Sequence, residues 1–115
     1  MYSKELLKGT LEIIILKLLN EHKELYGYEI CQMVKKHTNG KILLKFGSLY
    51  PLLHKMVKDG KLSFREEARG KRLRKYYFLT EFGITEKDKQ LDMFDDFVQT
   101  MENILTQKTK SFAVI

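Results

Sequence analysis

The sequence predicts a mainly α-helical fold with a small β-hairpin, ending in one long helix. Three observations carry this: early segments with apolar residues at helical spacing, two alternating stretches around a glycine, and a late apolar seam stepping by three and four. Leu7, Leu11, Ile14, Ile15, Leu18 and Leu19 form the first helical stripe, which places a helix over residues 4–20. "NEHKELYGYE" turns the chain. A second helix is expected from Tyr28 to His37, with Ile30, Met33 and Val34 inward and Asn39-Gly40 as its stop. "KILLK" is too short for a helix and is expected to form a small strand.

"FGSLYPLLHKMVKDGKL" (46–62) reads as the third helix. Leu49, Leu52, Leu53, Met56 and Val57 share its apolar face. Ser48 is the expected N-cap, and Pro51 would sit in the first turn, where a missing N–H costs little. Asp59-Gly60 ends it. Ser48, Tyr50, Pro51, His54, Lys55 and Lys58 are left facing outward, with no carboxylate before Asp59. "LSFREE" and "LRKYYFL" alternate as strands, and "ARGK" between them holds the glycine of a hairpin tip. Thr80 then caps the last helix, with Gly83 an odd residue in its first turn.

Composition bounds what such a chain does. The 115 residues are 43% hydrophobic, enough apolar mass for one domain. The net charge is +6, but residues 35–75 hold 13 Lys/Arg against 3 Asp/Glu, and both flanks are mildly acidic. Positive charge gathered in this way points to a polyanionic partner; lysines serving solubility alone are the alternative. The single cysteine, Cys31, excludes an intrachain disulfide and fits a reducing cytosol. "LEIIILKLL" is interrupted by Glu12 and Lys17 and is far too short to span a membrane, so a cytoplasmic protein is expected. His22, His37 and His54 have no metal-ligand spacing with each other or with Cys31, and no phosphate loop or nucleophile elbow is present. Neither catalysis nor a metal or cofactor is expected.

Three helices, a hairpin and a last helix follow the order of a winged helix-turn-helix with a C-terminal extension. Five fragments then make a specific resemblance. Tyr26-Gly27-Tyr28-Glu29 opens helix two, and Gly47-Ser48-Leu49-Tyr50-Pro51 opens helix three. Lys58-Asp59-Gly60 stops helix three, and Arg74-Lys75-Tyr76-Tyr77 runs into Leu79-Thr80. In this order and spacing, over about residues 7–83, they resemble the PadR-like family of bacterial transcriptional regulators. The resemblance implies a winged-helix homodimer that binds double-stranded operator DNA, most often as a repressor, with release by a small aromatic effector. The chain is similar to the short branch with a single C-terminal helix. A winged helix that binds protein rather than DNA remains the alternative.

On this reading, residues 1–80 form the DNA-binding domain, 81–108 a dimerisation helix and 109–115 a flexible tail. The second helix of a helix-turn-helix pair enters the major groove. Ser48, Tyr50 and Pro51 would meet bases, with His54 and Lys55 one turn on, while Lys58 and Lys45 reach phosphates. Tyr50 could equally brace the helix, and His54 shares that alternative but leans toward DNA because it lies on the exposed face. The wing would set Arg69, Lys71, Arg72 and Arg74 along the backbone or minor groove. Arg72 and Arg74 would share a strand face with Tyr76 and Phe78, and Tyr77 and Leu79 would cover the other. The N–H groups opening helix two offer a further phosphate site.

In the last helix, Leu91, Phe94, Val98, Met101 and Leu105 form the seam expected at a dimer interface, and Met93, Phe97 and Ile104 form a second stripe beside it. One stripe is expected on the chain's own first helix and the other on a second subunit. Met93, Phe94, Phe97 and Met101 are the expected lining of an effector pocket at the dimer centre. Many family members of this size are said to carry a tryptophan there; this chain has none, so a flat indole platform for the effector is not expected.

Overall fold

The computed structural model of the chain describes residues 2–106. In order, the elements are α1 (Lys4–Leu7), α2 (Leu11–Glu21), β1 (Leu25–Tyr26), α3 (Gly27–His37), α4 (Phe46–Lys58), β2 (Leu62–Arg69), β3 (Arg72–Leu79) and α5 (Glu81–Thr106). The expected tail at 109–115 lies outside the described residues. The fold is mostly helical, with a small antiparallel sheet of strand order β1-β3-β2 and a long C-terminal helix.

Helices α2, α3 and α4 turn their apolar faces to one core. Ile15, Leu16 and Leu19 come from α2, Ile30 and Val34 from α3, and Leu49, Leu53 and Met56 from α4. Leu25, Leu62 and Tyr77 close it from the sheet. Burying each large aliphatic side chain stabilises the fold by about 1.5–3 kcal/mol. Burial also pushes the Tyr77 phenol up to about 12, so it stays neutral.

Several expected boundaries move. The first helix is broken in two. Gly9 takes a φ of +89°, Ser3 caps α1 through Leu6 N–H, and the Thr10 hydroxyl donates to Leu7 O. A left-handed glycine is favourable at a helix end and not inside a helix. Strand β1 was hidden in the expected turn: its two residues pair with Tyr77 and Tyr76, and two residues show no period. "KILLK" is not a strand, because no strand among the described residues pairs with it. Thr38 holds it instead, its hydroxyl accepting from Ile42 N–H at 3.0 Å while the Ile42 side chain is buried.

Helix α4 starts earlier than expected. Lys45, extended at φ −91° and ψ 145°, is its N-cap, and Lys45 C=O accepts from Ser48 and Leu49 N–H at 3.0 Å. Ser48 therefore lies inside the first turn and Pro51 in the second. Contact of Phe46 with Gly27 of α3 supplies the reason: a Cβ on Gly27 would lie 3.3 Å from the Phe46 ring. Gly47 and Pro51 are both exposed, so water can reach the Gly47 carbonyl that proline leaves without its helical donor.

The hairpin is longer than expected. Both strands reach the tip, with Arg69 opposite Arg72 and a Gly70-Lys71 turn between them. Gly70 has φ +62°, the positive value that two-residue hairpin turns require. Thr80 caps α5 as expected, accepting from Gly83 N–H at 3.0 Å.

Candidate nucleic-acid interface

The α4 face opposite the core presents Ser48, Tyr50, Pro51, His54, Lys55 and Lys58, all exposed. Lys45 is exposed at its N-terminus. Lys55 pairs with Asp59 at 3.1 Å across one helical turn, an exposed contact of little energy. Tyr50 is held from both sides. Its ring stacks on Phe46 at 5.5 Å, and its hydroxyl accepts from Lys75 Nζ of β3 at 3.3 Å. It is nevertheless 40% exposed, so one side chain both braces the helix and faces solvent.

The wing's cations are not equivalent. Lys71 and Arg72 stand exposed at the tip and make no ion pair among the described residues. Arg69 pairs with Glu67 at 2.7 Å and donates to the Tyr76 hydroxyl at 3.3 Å. Arg74 lies opposite Glu67, donates to the same hydroxyl at 3.3 Å, and stacks 4.0 Å above the Tyr26 ring. These two donors hold the Tyr76 phenol below its ordinary value. Arg65 continues the row, paired with Glu24 at 2.7 Å and Glu67 at 3.2 Å. Arg74 and Tyr76 do share a strand face, as alternation predicts.

Between the wing and α4 lies a cleft of about 530 Å³, lined by Tyr26, Tyr28, Phe46, Tyr50, Leu73 and Arg74 among others. The exposed rings of Tyr28, Phe46 and Tyr50 and the cations Arg69 and Arg72 put apolar surface and positive charge side by side there. The N-terminus of α3, expected to be free for a phosphate, has Glu29 folded back to accept from Tyr26 N–H at 3.1 Å. Sequence reasoning missed three groups here. Lys75 was read only as part of a motif, and Glu67 stands opposite Arg74 only once the turn fixes the register. Lys4, Lys8 and Lys41 join Lys45 and Ser48 around a second cleft of about 570 Å³. Charge counting by segment hid Lys4 and Lys8, which lie outside the basic middle, and gave Lys41 no place in the fold.

Along α5, Leu91, Phe94, Val98 and Met101 are half-buried and Leu105 is exposed. Leu91 and Phe94 face Ile13, Ile14 and Leu18 of α2 across a groove of about 330 Å³. Met93, Phe97 and Ile104 are exposed. Of the expected effector lining, Phe94 and Phe97 lie with ring centroids 6.5 Å apart, one half-buried and one open to solvent. No helix among the described residues is long and apolar enough to cross a membrane, and none of their His, Cys, Asp and Glu side chains cluster for a metal. Burial pushes the Cys31 thiol up, away from thiolate chemistry.

Residues 15–89 match the model of the transcriptional regulator PadR-like family. The chain belongs to that family. A PadR-like transcriptional regulator from Bacillus cereus is 30% identical, with a TM-score of 0.77 over 91% of this chain and 100% of that one. Bacillus subtilis PadR, solved in complex with operator DNA, is 32% identical with a TM-score of 0.65 over 72% of this chain. This chain covers 47% of that longer PadR protein. A transcriptional regulator from Clostridium thermocellum shares the fold, with a TM-score of 0.81 at 24% identity over 90% of this chain and 97% of that one. The family and the two PadR relatives are transcriptional regulators, not enzymes.

Proposed function

We propose that this chain is a DNA-binding repressor that acts as a homodimer on a palindromic operator, in the cytoplasm where the chromosome lies. The observation that carries the reading is the carboxylate-free outer face of α4, Ser48 to Lys58, flanked by a wing tipped with Lys71 and Arg72. The likeness to a PadR protein held on operator DNA supports it. On this reading Ser48, Tyr50, Pro51 and His54 face base edges, while Lys45, Lys55 and Lys58 meet phosphates. Lys71 and Arg72 follow the backbone or minor groove, and Arg69 and Arg74 join them after exchanging internal partners. The second subunit covers the exposed apolar surface of α5, with Leu91, Phe94, Val98, Met101 and Leu105 contributing and Met93, Phe97 and Ile104 beside them.

A small aromatic effector fits the Met93–Met101 region once two helices enclose it. Titration of DNA flanking this protein's own gene, against a scrambled duplex, tests the whole reading. Selective binding by a sedimenting dimer supports it. Equal affinity for both duplexes, or no binding at low salt, overturns it in favour of a protein-binding winged helix.

A further inference from the structure

The start of α5 is locked onto the end of α4 by contacts that go beyond the Thr80 cap of α5 itself. Gly83 is the only buried residue of α5, and a Cβ there would overlap the Lys61 carbonyl oxygen. The Thr80 hydroxyl donates to the Gly60 and Lys61 carbonyls and accepts from Gly83 N–H. Thr80 N–H also donates to Lys61 O at 3.2 Å. A helical first turn thus sits directly against the left-handed stop of α4, where Gly60 has φ +80°.

A second tie crosses the same joint. Lys61 Nζ reaches Glu12 Oε2 of α2 at 2.7 Å, and Gln90 Nε2 of α5 donates to that oxygen at 2.7 Å. Glu86 of α5 lies 3.9 Å from the same Lys61 nitrogen. These charged side chains are only 14–18% exposed, so the ties are better shielded than those of the wing. Lys61 counts toward the basic middle of the sequence, yet it is spent inside the fold.

We infer that Gly83, Lys61, Glu12 and Gln90 are positioning residues that fix the angle between α5 and the recognition helix α4. The inference rests on the proposed dimeric DNA-binding reading for its consequence. If two subunits join through α5, this joint sets the separation and relative turn of the two recognition helices. It thereby selects the half-site spacing, which must match the helical repeat of DNA.

Spin labels at Gln32→Cys in α3 and Gln99→Cys in α5, both exposed positions, report the angle within one chain. The background is Cys31→Ser, diluted with unlabelled protein so that only intrachain distances are read. The parent should give one narrow distance distribution. Gly83→Ala should shift it by several Å, and Gln90→Ala should broaden it, with the melting of the winged domain still cooperative. On a duplex from the DNA flanking this protein's own gene that carries two half-sites, Gly83→Ala should lose at least tenfold of the preference over the same duplex with two base pairs inserted between them. Affinity for a single half-site should stay within about twofold.

Unchanged distance distributions in a folded Gly83→Ala overturn the inference, as do equal losses on single and paired half-sites. If Gly83→Ala does not fold, the Gln90→Ala distribution decides alone, and an unchanged one overturns it. Failure of the parent to bind any duplex sinks the proposed function instead, and leaves the distance measurement to judge the joint.

Discussion

The winged part of the molecule and its last helix handle apolar surface in opposite ways. From Ile15 to Tyr77, the large aliphatic residues of three helices and a sheet converge until side chains such as Leu16, Ile30, Leu53 and Met56 are 0% exposed. Helix α5 is 26 residues long, yet it buries only Gly83. Met93, Phe97, Ile104 and Leu105 remain 56–69% exposed. One region satisfies itself. The other carries an amphipathic pattern whose apolar residues stay largely exposed, the surface that a second subunit covers on the proposed reading.

The comparison breaks most visibly if α5 is cut away beyond Gln90. Truncation after Gln90 should leave a cooperatively folding winged domain that sediments as a monomer. Binding to a two-half-site operator should fall by about 10²–10⁴-fold, because the second half-site contact is no longer intramolecular. An operator affinity within tenfold of the full chain's would show that α5 does not carry the dimer. Next comes a change confined to the self-sufficient region. Leu53→Ala should cost about 2–5 kcal/mol in denaturant unfolding. Leu105→Ala, at an exposed site, should cost under about 0.5 kcal/mol in a dilute monomer.

A smaller effect sharpens the contrast within the surface proposed to face DNA. His54→Ala or Ser48→Ala should lower operator affinity by about 1–3 kcal/mol per lost base contact while leaving random DNA nearly untouched. Arg72→Gln should weaken all duplexes alike and flatten the plot of log K against log salt by about one unit per phosphate contact and subunit. Glu67 predicts a difference inside the wing. Arg69 is tied to it, so Arg69→Gln should change the salt slope less than Arg72→Gln. Equal slopes would mean that DNA displaces Glu67 without cost.

The smallest effect concerns the joint where the two regions meet. Burial pushes the Glu12 carboxyl up, but hydrogen bonds from Lys61 and Gln90, with the Lys61 charge and more distant Lys55, hold it below its ordinary 4.5. Lys61 is desolvated too, yet Glu12, Glu86 and Asp59 raise it above its usual 10.5. The unfolded chain therefore binds a proton at Glu12 more readily than the folded one does. Stability from Glu12 is complete above pH about 4.5 and is lost as pH falls through the depressed folded value. Chemical unfolding of Glu12→Gln should show a shallower loss between pH 5 and 3 than the parent. An identical pH profile would remove the pair from the joint.

Sequence periodicity determined the three core helices, the hairpin and the carboxylate-free face of α4, because each depends on local spacing that side chains must obey. It also marked Thr80 as a cap and α5 as doubly striped. Only the tertiary structure could decide the rest. Phe46 meeting Gly27 moved the start of α4, so Ser48 is a first-turn residue and not the cap. Strand β1 exists because β3 lies beside it, and "KILLK" is no strand because no strand among the described residues pairs with it. Register set Glu67 opposite Arg74, which separates tied arginines from free ones in a run that looks uniformly basic. Gly83 looked out of place in a helix until the Lys61 carbonyl stood against it. Local spacing fixes which face a residue takes, but a contact between distant residues depends on how the elements come together, and that is what sorts the cations of this chain into those available to a partner and those spent within the fold.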